Sequence, residues 1–316
     1  MHSISISDAA ALLRAGELVA FPTETVYGLG GDALRADVVA KIFETKQRPT
    51  FDPIIVHVTS IEAAQALVLG WNKTADFLAE LFWPGPLTFV LPKREIVPDI
   101  VTAGLSKVAI RMPAHPLAQS LLKEFGRPIA APSANRFGHI SPTTATHVYE
   151  SFGAAVAIID GGSTTVGVES TVLDLSEAIP RILRHGGITR EQLAEVLDQV
   201  EVATSSTTLP SAPGQLPQHY APKIPLYLYP FGTVPSPIPG KRCGCLLTTG
   251  RATAGFNVTE ILSEQNDLRE MAVNLFAAMR RLETQAIDCI LAVKTSGDGL
   301  GAAINDRLTR AAANVY

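Results

Sequence analysis

The stretch that decides the fold reads Phe21-Pro22-Thr23-Glu24-Thr25-Val26-Tyr27-Gly28-Leu29-Gly30-Gly31, and it resumes as Lys46-Gln47-Arg48-Pro49-Thr50-Phe51-Asp52-Pro53-Ile54-Ile55-Val56-His57. Apolar residues 17–21 lead into the first motif and residues 53–58 close the second, and both segments predict strands. Residues 38–45 between the motifs carry apolar side chains at helical spacing. Polar loops placed where strands end are typical of a ligand site in an α/β protein.

Two cations, Lys46 and Arg48, follow the predicted helix. In an extended segment, residues two apart project to the same side, and this spacing suits an anion. A turn with two solvated cations explains the same stretch equally well, so this pair leaves both interpretations open.

Composition limits the class of protein. A chain of 316 residues with 47% hydrophobic residues and a mean hydropathy of +0.21 has ample core material and favours two domains. It has no apolar run of about 18 residues and no recognisable secretory signal, so we expect a cytoplasmic protein with no membrane contact. Three cysteines argue against a disulfide framework, and a net charge of -4 disfavours a surface that grips nucleic acid everywhere.

Along the first two thirds of the chain, helical and strand signals alternate. Ser7, Ser60, Asn72, Ser141 and Thr189 are expected to cap helices. Further strands are expected at residues 87–91, 108–112, 128–131, 155–160, 170–175 and 181–184. Because residues 155–184 leave little room for helices, we predict a twisted, mixed, open sheet with flanking helices and not a purely parallel one.

A change of composition separates this region from the rest. Residues 204–208 read Thr-Ser-Ser-Thr-Thr, and nine of the 32 residues from 209 to 240 are proline, which excludes a helix. Strand and helix signals then return over about 90 residues, enough for a small domain. We expect a larger domain over residues 1–203 that carries the candidate ligand site, a proline-rich linker over 204–224, and a smaller Rossmann-like α/β domain over 225–316.

Polar and cationic residues stand at the ends of several predicted strands: Lys46 with Arg48, Arg111, Ser133 and Asn135 with Ser141, and Arg184. Each has a structural alternative, such as an internal ion pair, a turn or a helix cap. Together, four basic side chains around one cleft would repel one another unless an anion neutralised them. No Walker loop, dinucleotide-binding glycine pattern or metal-ligand spacing is present, so any metal would arrive with a nucleotide.

Several motifs resemble the YrdC-like family. They are Pro22–Leu29, Lys46-Gln47-Arg48-Pro49, Trp83-Pro84-Gly85-Pro86-Leu87-Thr88, Val108–Pro113, Ala131-Pro132-Ser133-Ala134-Asn135 and Gly167-Val168-Glu169-Ser170-Thr171-Val172. The linker motif His219-Tyr220-Ala221-Pro222 and the tail from Gly299 to Leu308 resemble the longer, two-domain threonylcarbamoyl-AMP synthases. The chain departs from the family pattern at Asp52, where Asn is usual, at His139, and at Arg184-His185-Gly186-Gly187.

The resemblance implies a reaction: L-threonine, bicarbonate or carbon dioxide, and ATP give threonylcarbamoyl-AMP and pyrophosphate. Other proteins then transfer the threonylcarbamoyl group to tRNA. ATP would be a substrate, with Mg²⁺ carried by the nucleotide, and the chain would act as a nucleotidyltransferase. Its partners would be downstream transferase proteins, with weak tRNA contact conceivable.

The resemblance also implies roles for individual residues. Lys46 and Arg48 would be catalytic. The ATP-binding set would be Lys46, Arg48, Asp52, Ser133, Asn135, Ser141, Arg184 and Tyr220, and the threonine-binding set would be Thr25, His57, Arg111, Ala131 and Ser170. Arg111 is the natural partner of the threonine carboxylate. Tyr220 would reach back to the first domain as part of a lid. Without the resemblance, His57 reads as a core histidine.

Two other classes of protein remain as alternatives. An RNA-binding, translation-associated protein would show salt-dependent RNA binding without ATP turnover. A carbamoyl-adenylate-forming enzyme of metallocentre maturation would bring zinc-finger cysteines and an acylphosphatase-like segment, and the sequence has neither.

Overall fold

The structure, a computed structural model, describes residues 3–203, 219–250 and 254–315. Its helices are α1 Ile6–Arg14, α2 Ala36–Lys46, α3 Ile61–Gln65, α4 Lys73–Phe82, α5 Asp99–Thr102, α6 Pro116–Phe125, α7 Ala145–Phe152, α8 Arg190–Ala194, α9 Leu268–Glu283 and α10 Leu300–Ala311. Its strands are β1 Val19–Phe21, β2 Gly28–Asp32, β3 Ile55–His57, β4 Leu87–Pro92, β5 Lys107–Arg111, β6 Ile129–Ala130, β7 Ala157–Ile158, β8 Thr171–Asp174, β9 Arg181–Arg184, β10 Glu201–Val202, β11 Leu226–Tyr229, β12 Cys243–Leu247, β13 Val258–Ile261, β14 Cys289–Val293 and β15 Asn314–Val315.

The larger sheet is mixed, as the sequence predicts. Among the described residues its strands run in the order β10-β9-β8-β4-β5-β3-β6-β2-β1-β7. The β3–β5 pair is parallel and the β3–β6 pair is antiparallel, so β3 ends between two strands of opposite direction. Its last residue, His57, faces Arg111 of β5 and Ile129 of β6 in register. This arrangement brings His57 and Arg111, two of the predicted threonine-binding residues, to the centre of the sheet.

The smaller sheet belongs to a second α/β unit and has the order β13-β12-β14-β11-β15 in the described part of the chain. Its strand pairs are parallel, with α9 and α10 packed against it. An apolar cluster fills the space between sheet and helices, including Leu275, Phe276 and Leu308. The α/β class and the presence of two domains are thus confirmed. The exact domain boundaries stay a prediction, and residues 204–218 of the predicted linker lie outside the described residues.

Some of the predicted helix caps are confirmed and others are wrong. Asn72 caps α4, and Thr189 forms a capping box with Gln192 at the start of α8. The expected cap at Ser7 is wrong, because Ser5 accepts the hydrogen bond from the Asp8 amide instead. The expected cap at Ser141 is also wrong: its hydroxyl donates to Glu169, and Thr144 caps α7 three residues later.

A strand was missed in the deciding stretch. Residues 28–32, expected to be part of a polar loop, form β2, which pairs antiparallel with β1 and places Gly28 opposite Phe21. Glycine at position 30 is required because a β-carbon there would lie 2.7 Å from side-chain atoms of Ile129 and Phe21. The polar loop is thereby shortened to residues 22–27, and it turns back over the end of the sheet.

The two units share one apolar cluster. Val26, Ile140 and Val168 of the first unit belong to the same buried cluster as the core of the second unit. Arg280 of α9 donates to the Ile140 carbonyl at 2.6 Å. Gly167 lies so close to α9 that a β-carbon would sit 2.3 Å from the Ala272 carbonyl oxygen. Close backbone packing therefore fixes how the first unit meets α9.

We predict that Gly167→Ala separates this contact and destabilises the protein. Gly167 and Gly126 both have left-handed backbones, with φ of +77° and +76°, so alanine at either costs about 1–2 kcal/mol of strain. At Gly167 the clash with α9 adds roughly 1–3 kcal/mol. Gly126→Ala is the matched control because the space around that position is open. Urea unfolding should show the larger loss for Gly167→Ala, and equal losses would refute the close contact.

Candidate active site

One cavity lies where β3, β5 and the loops after β1 and β6 meet, and we call it the central cavity. It is lined by Thr23, Thr25, Val26, Gly28, Arg48, Pro53, Ile54, Ile55, His57, Arg111, Ala131, Pro132, Ser133, Glu169, Ser170, Arg184, His219 and Tyr220. Nine of the thirteen predicted site residues are among them. The structure therefore brings together side chains from segments that are far apart in the sequence.

We expected Lys46 and Arg48 to project to the same side of an extended segment, and this prediction is wrong. Gln47 between them has a left-handed backbone, with φ of 55°, and ends α2, so the segment from Lys46 to Arg48 is not extended. Lys46 donates to the carbonyl oxygens of Ser133 and Asn135. Arg48 lines the cavity and pairs with Asp52 at 2.8 Å. Burial, and then repulsion from Arg48, lower the pKa of Lys46 well below its ordinary value.

Arg111 is held from three sides. Its Nε donates to the Gly85 carbonyl at 3.1 Å, its Nη1 donates to the Thr25 hydroxyl at 2.9 Å, and its Nη2 lies 2.6 Å from a carboxylate oxygen of Glu24. A guanidinium has five N–H groups, so these contacts leave donors on both terminal nitrogens. Arg111 is thus oriented before any ligand arrives and can still bind a carboxylate.

Ser170 stands between Arg184 and Thr88. Its hydroxyl is 2.7 Å from the Thr88 hydroxyl, and its hydroxyl and carbonyl oxygens both accept from Arg184 Nη2. Burial lowers the pKa of Arg184 from its ordinary value, so an anion beside it would be favourable. The predicted threonine-binding and ATP-binding sets are therefore in contact at this point.

His57 is buried at the end of β3, with its ring 6.0 Å from that of Phe21 in an edge-on arrangement. Burial, and then repulsion from Arg111, lower the pKa of His57 to about 3, so the imidazole is neutral at physiological pH. Its Nδ1 has no hydrogen-bond partner in the described residues. A neutral ring with a free nitrogen can bind a polar ligand atom.

Four predicted ATP-binding residues lie behind the cavity wall. Besides Lys46, they are Asp52, which orients Arg48, Asn135, whose side-chain amide donates to the carbonyls of Arg136 and His139, and Ser141. These contacts are with other residues of the chain. In this structure they shape the wall rather than face the cavity.

Sequence reasoning missed three residues near the site. Glu24 and Glu169 both lie inside the motifs quoted above, but a site for an anion predicts cations and hydroxyl groups and gives no role to a carboxylate. His219 lies in the linker motif, where the resemblance assigns a role to Tyr220. It lines the cavity together with Tyr220, and a bridge between Ala221 and His139 ties this segment to the first unit.

The free space inside the central cavity is about 60 Å³, well below the roughly 300–1,000 Å³ typical of small-molecule pockets. A nucleotide therefore requires part of the wall to move. Among the described residues, no group of three or more His, Cys, Asp and Glu side chains is arranged to hold a metal ion. No helix in the described parts of the chain has the length and apolar character needed to cross a membrane.

Comparisons with known proteins agree with this picture. Residues 11–186 match the family described as "Telomere recombination", and residues 188–313 match "Threonylcarbamoyl-AMP synthase, C-terminal domain". The threonylcarbamoyl-AMP synthase of Pyrococcus abyssi is 42% identical over 96% of this chain and 92% of its own length. The chain belongs to the threonylcarbamoyl-AMP synthase family.

Other relatives extend the family match over nearly the whole chain. The threonylcarbamoyl-AMP synthase of Bacillus subtilis is 42% identical over 97% of this chain and 92% of its own length. The crystal structure of P. abyssi Sua5 complexed with L-threonine is 40% identical, covers 98% of this chain and 96% of its own, and superposes with a TM-score of 0.91. The family fold therefore includes both units.

We predict that the stability of the protein falls with acid partly through His57. The unfolded imidazole titrates near pH 6.5, whereas the folded pKa is about 3. Below pH 6.5 the unfolded state binds a proton that the folded state does not, so stability is lost as pH falls. His57 should contribute up to about 1.4 kcal/mol per pH unit between pH 6 and 4.

Urea unfolding of His57→Gln across this pH range should show a shallower slope than the unmodified chain. His139→Gln is the control, because that imidazole is exposed and its replacement should leave the slope as it was. An unchanged slope in His57→Gln would mean that the histidine is protonated in the folded protein.

Proposed function

We propose that this protein makes threonylcarbamoyl-AMP and pyrophosphate from L-threonine, bicarbonate or carbon dioxide, and ATP. The observation that carries the proposal is the convergence of Arg48, Arg111 and Arg184 on one cavity. Hydroxyl groups of Thr25 and Ser170 lie on the same wall. The threonine-bound structure of the P. abyssi relative supports an amino acid as one of the ligands.

We propose two subsites, which the contacts support. The threonine subsite would consist of Arg111, Thr25, His57, Ala131 and Ser170. The remaining N–H donors of Arg111 would bind the carboxylate of threonine. Arg48, Ser133, Arg184 and Tyr220 would bind the nucleotide. Lys46, Asp52, Asn135 and Ser141 would support that nucleotide wall. Ser170 touches Arg184, so the threonine and the phosphates would be neighbours.

The chemistry needs no protein nucleophile. The amine of threonine adds to carbon dioxide and loses a proton, giving a carbamate. A carbamate oxygen then attacks the α-phosphorus of ATP, and the bond to the departing pyrophosphate breaks. Arginines held by their own carboxylate partners would stabilise the charge that develops on phosphate, because they need no reorganisation. Arg48, which lines the cavity and pairs with Asp52, would act in this way as a nucleotidyltransferase requires. Lys46 would position the loop that carries Ser133, to whose carbonyl it donates.

The linker would cover the product. The mixed anhydride is labile in water, and excluding water protects it. His219 and Tyr220 belong to the cavity wall, so displacement of this segment would make room for ATP, and its return would close the site. Among the described residues that line the cavity, His219 and Tyr220 are the two that come from outside residues 1–203.

Mg²⁺ would arrive with ATP and neutralise the leaving pyrophosphate. The product would pass to transferase proteins that modify tRNA, with at most weak contact between this chain and tRNA. The cytoplasm, where tRNA is modified, is the compartment we propose.

Pyrophosphate release should require all three substrates. Omitting ATP, threonine or bicarbonate in turn should abolish it, and serine should replace threonine poorly, because a missing methyl group in an apolar niche costs roughly 10- to 200-fold. Undiminished release without threonine would refute the proposal. Tight, salt-dependent RNA binding without turnover would favour the translation-associated alternative, and turnover of carbamoyl phosphate would favour the maturation enzyme.

Arg111→Lys should raise the KM for threonine about 10- to 100-fold, with a smaller effect on the KM for ATP. Lysine keeps the charge but cannot maintain contacts with Gly85, Thr25 and Glu24 while binding a carboxylate. The matched control is Arg127→Lys, which alters an ion pair with Asp32 outside the cavity. Steady-state kinetics with threonine varied at saturating ATP is the measurement. Equal effects of the two substitutions would remove Arg111 from the threonine subsite.

A further inference from the structure

A buried arginine of the second unit reaches the wall of the central cavity from behind. Arg307, on α10, is fully buried and does not line the cavity. Its Nε donates to a Glu169 carboxylate oxygen at 2.8 Å, and its Nη1 donates to the His185 carbonyl at 2.8 Å. The other Glu169 oxygen accepts from the Ser141 hydroxyl at 2.6 Å.

Glu169 is an unexpected residue for this wall. Among the described residues that line the cavity it is the sole carboxylate, and the cations there are Arg48, Arg111 and Arg184. A carboxylate in the wall repels phosphate groups, and within a protein this repulsion is only weakly screened. Glu24 and Asp52, the other carboxylates near these arginines, pair with Arg111 and Arg48 within the first unit.

The charge of Glu169 is compensated from the second unit. Arg307 also pairs with Asp306 at 2.7 Å, and its guanidinium carbon lies 5.4 Å from the centre of the Tyr220 ring. Burial alone would disfavour the charged guanidinium, but Tyr220 and the carboxylates of Glu169 and Asp306 raise the pKa of Arg307 above its ordinary value. Arg307 is therefore a cation at physiological pH.

We propose that Arg307 is a positioning residue of the active site, which neutralises Glu169 so that the cavity accepts a polyphosphate. It also supports the ring of Tyr220, which stacks on Phe276 of α9. The second unit thus supplies the guanidinium that contacts the Glu169 carboxylate directly. This inference rests on the proposed function, because it gives Arg307 a role in binding the ATP of that reaction.

The test is a double-mutant cycle on ATP binding, measured by titration calorimetry with the full chain. Arg307→Met removes the cation that contacts Glu169, so the Kd for ATP should rise on the order of 10- to 100-fold. In a Glu169→Gln background the same Arg307→Met substitution should change the Kd by less than about threefold. The cavity wall then carries no carboxylate, and Asp306 keeps its ion pair with Arg310.

A purely packing role predicts a different pattern. Loss of packing would weaken ATP binding equally in both backgrounds, and that result would overturn the inference. Threonine is a zwitterion without net charge, so its Kd should change much less than that of ATP. The matched control is Arg281→Met on α9, which removes an ion pair between Arg281 and Glu260 of β13. This substitution should leave the Kd for ATP within about twofold.

Folding is checked by thermal melting of each variant. If Arg307→Met alone fails to fold, the variant that combines Arg307→Met with Glu169→Gln becomes decisive, because it lacks the buried carboxylate. This double variant should fold and bind ATP, and its failure to bind ATP would overturn the inference. ATP binding without pyrophosphate release by the unmodified chain would refute the proposed function and leave the Arg307 comparison valid. Absence of ATP binding by the unmodified chain would overturn both.

Discussion

The structure depends on burying charged side chains without leaving them uncompensated. Arg48, Arg111 and Arg307 are each less than a tenth exposed, and each has a carboxylate oxygen within 2.8 Å. An unpaired charge in such a place would cost several kcal/mol, so these pairs determine which segments must come together. They also hold the guanidinium groups in place before a ligand arrives, which is the condition for electrostatic stabilisation of a reacting phosphate.

Local structure was largely predictable because its signals are local. Asn72 and Thr189 cap helices through hydrogen bonds to amides three residues away, and Gly126 ends α6 with the left-handed backbone that glycine favours. Strand β2 was missed because its glycine-rich sequence has no apolar alternation. Ser141 was misassigned because its hydroxyl is used by Glu169, 28 residues later in the chain, and no local pattern encodes that choice.

The site was predicted from motifs more than from geometry. The argument that Lys46 and Arg48 project together fails at Gln47, yet Arg48 does line the cavity. The resemblance identified the segments that meet, since these segments carry the recognisable motifs. It did not indicate which side chains face the cavity and which stand behind it. That distinction depends on hydrogen bonds such as those from Lys46 to two backbone carbonyls, which only the assembled fold defines.

The ion pair between Glu169 and Arg307 joins residues that are 138 positions apart in the chain, and this separation has a consequence for synthesis. At roughly 5–20 residues per second, a ribosome needs on the order of 7–28 s to proceed from one to the other. During that interval the nascent first unit contains the carboxylate without its cation. With the role proposed for Arg307, the growing chain would bind ATP more weakly until the second unit has emerged and docked.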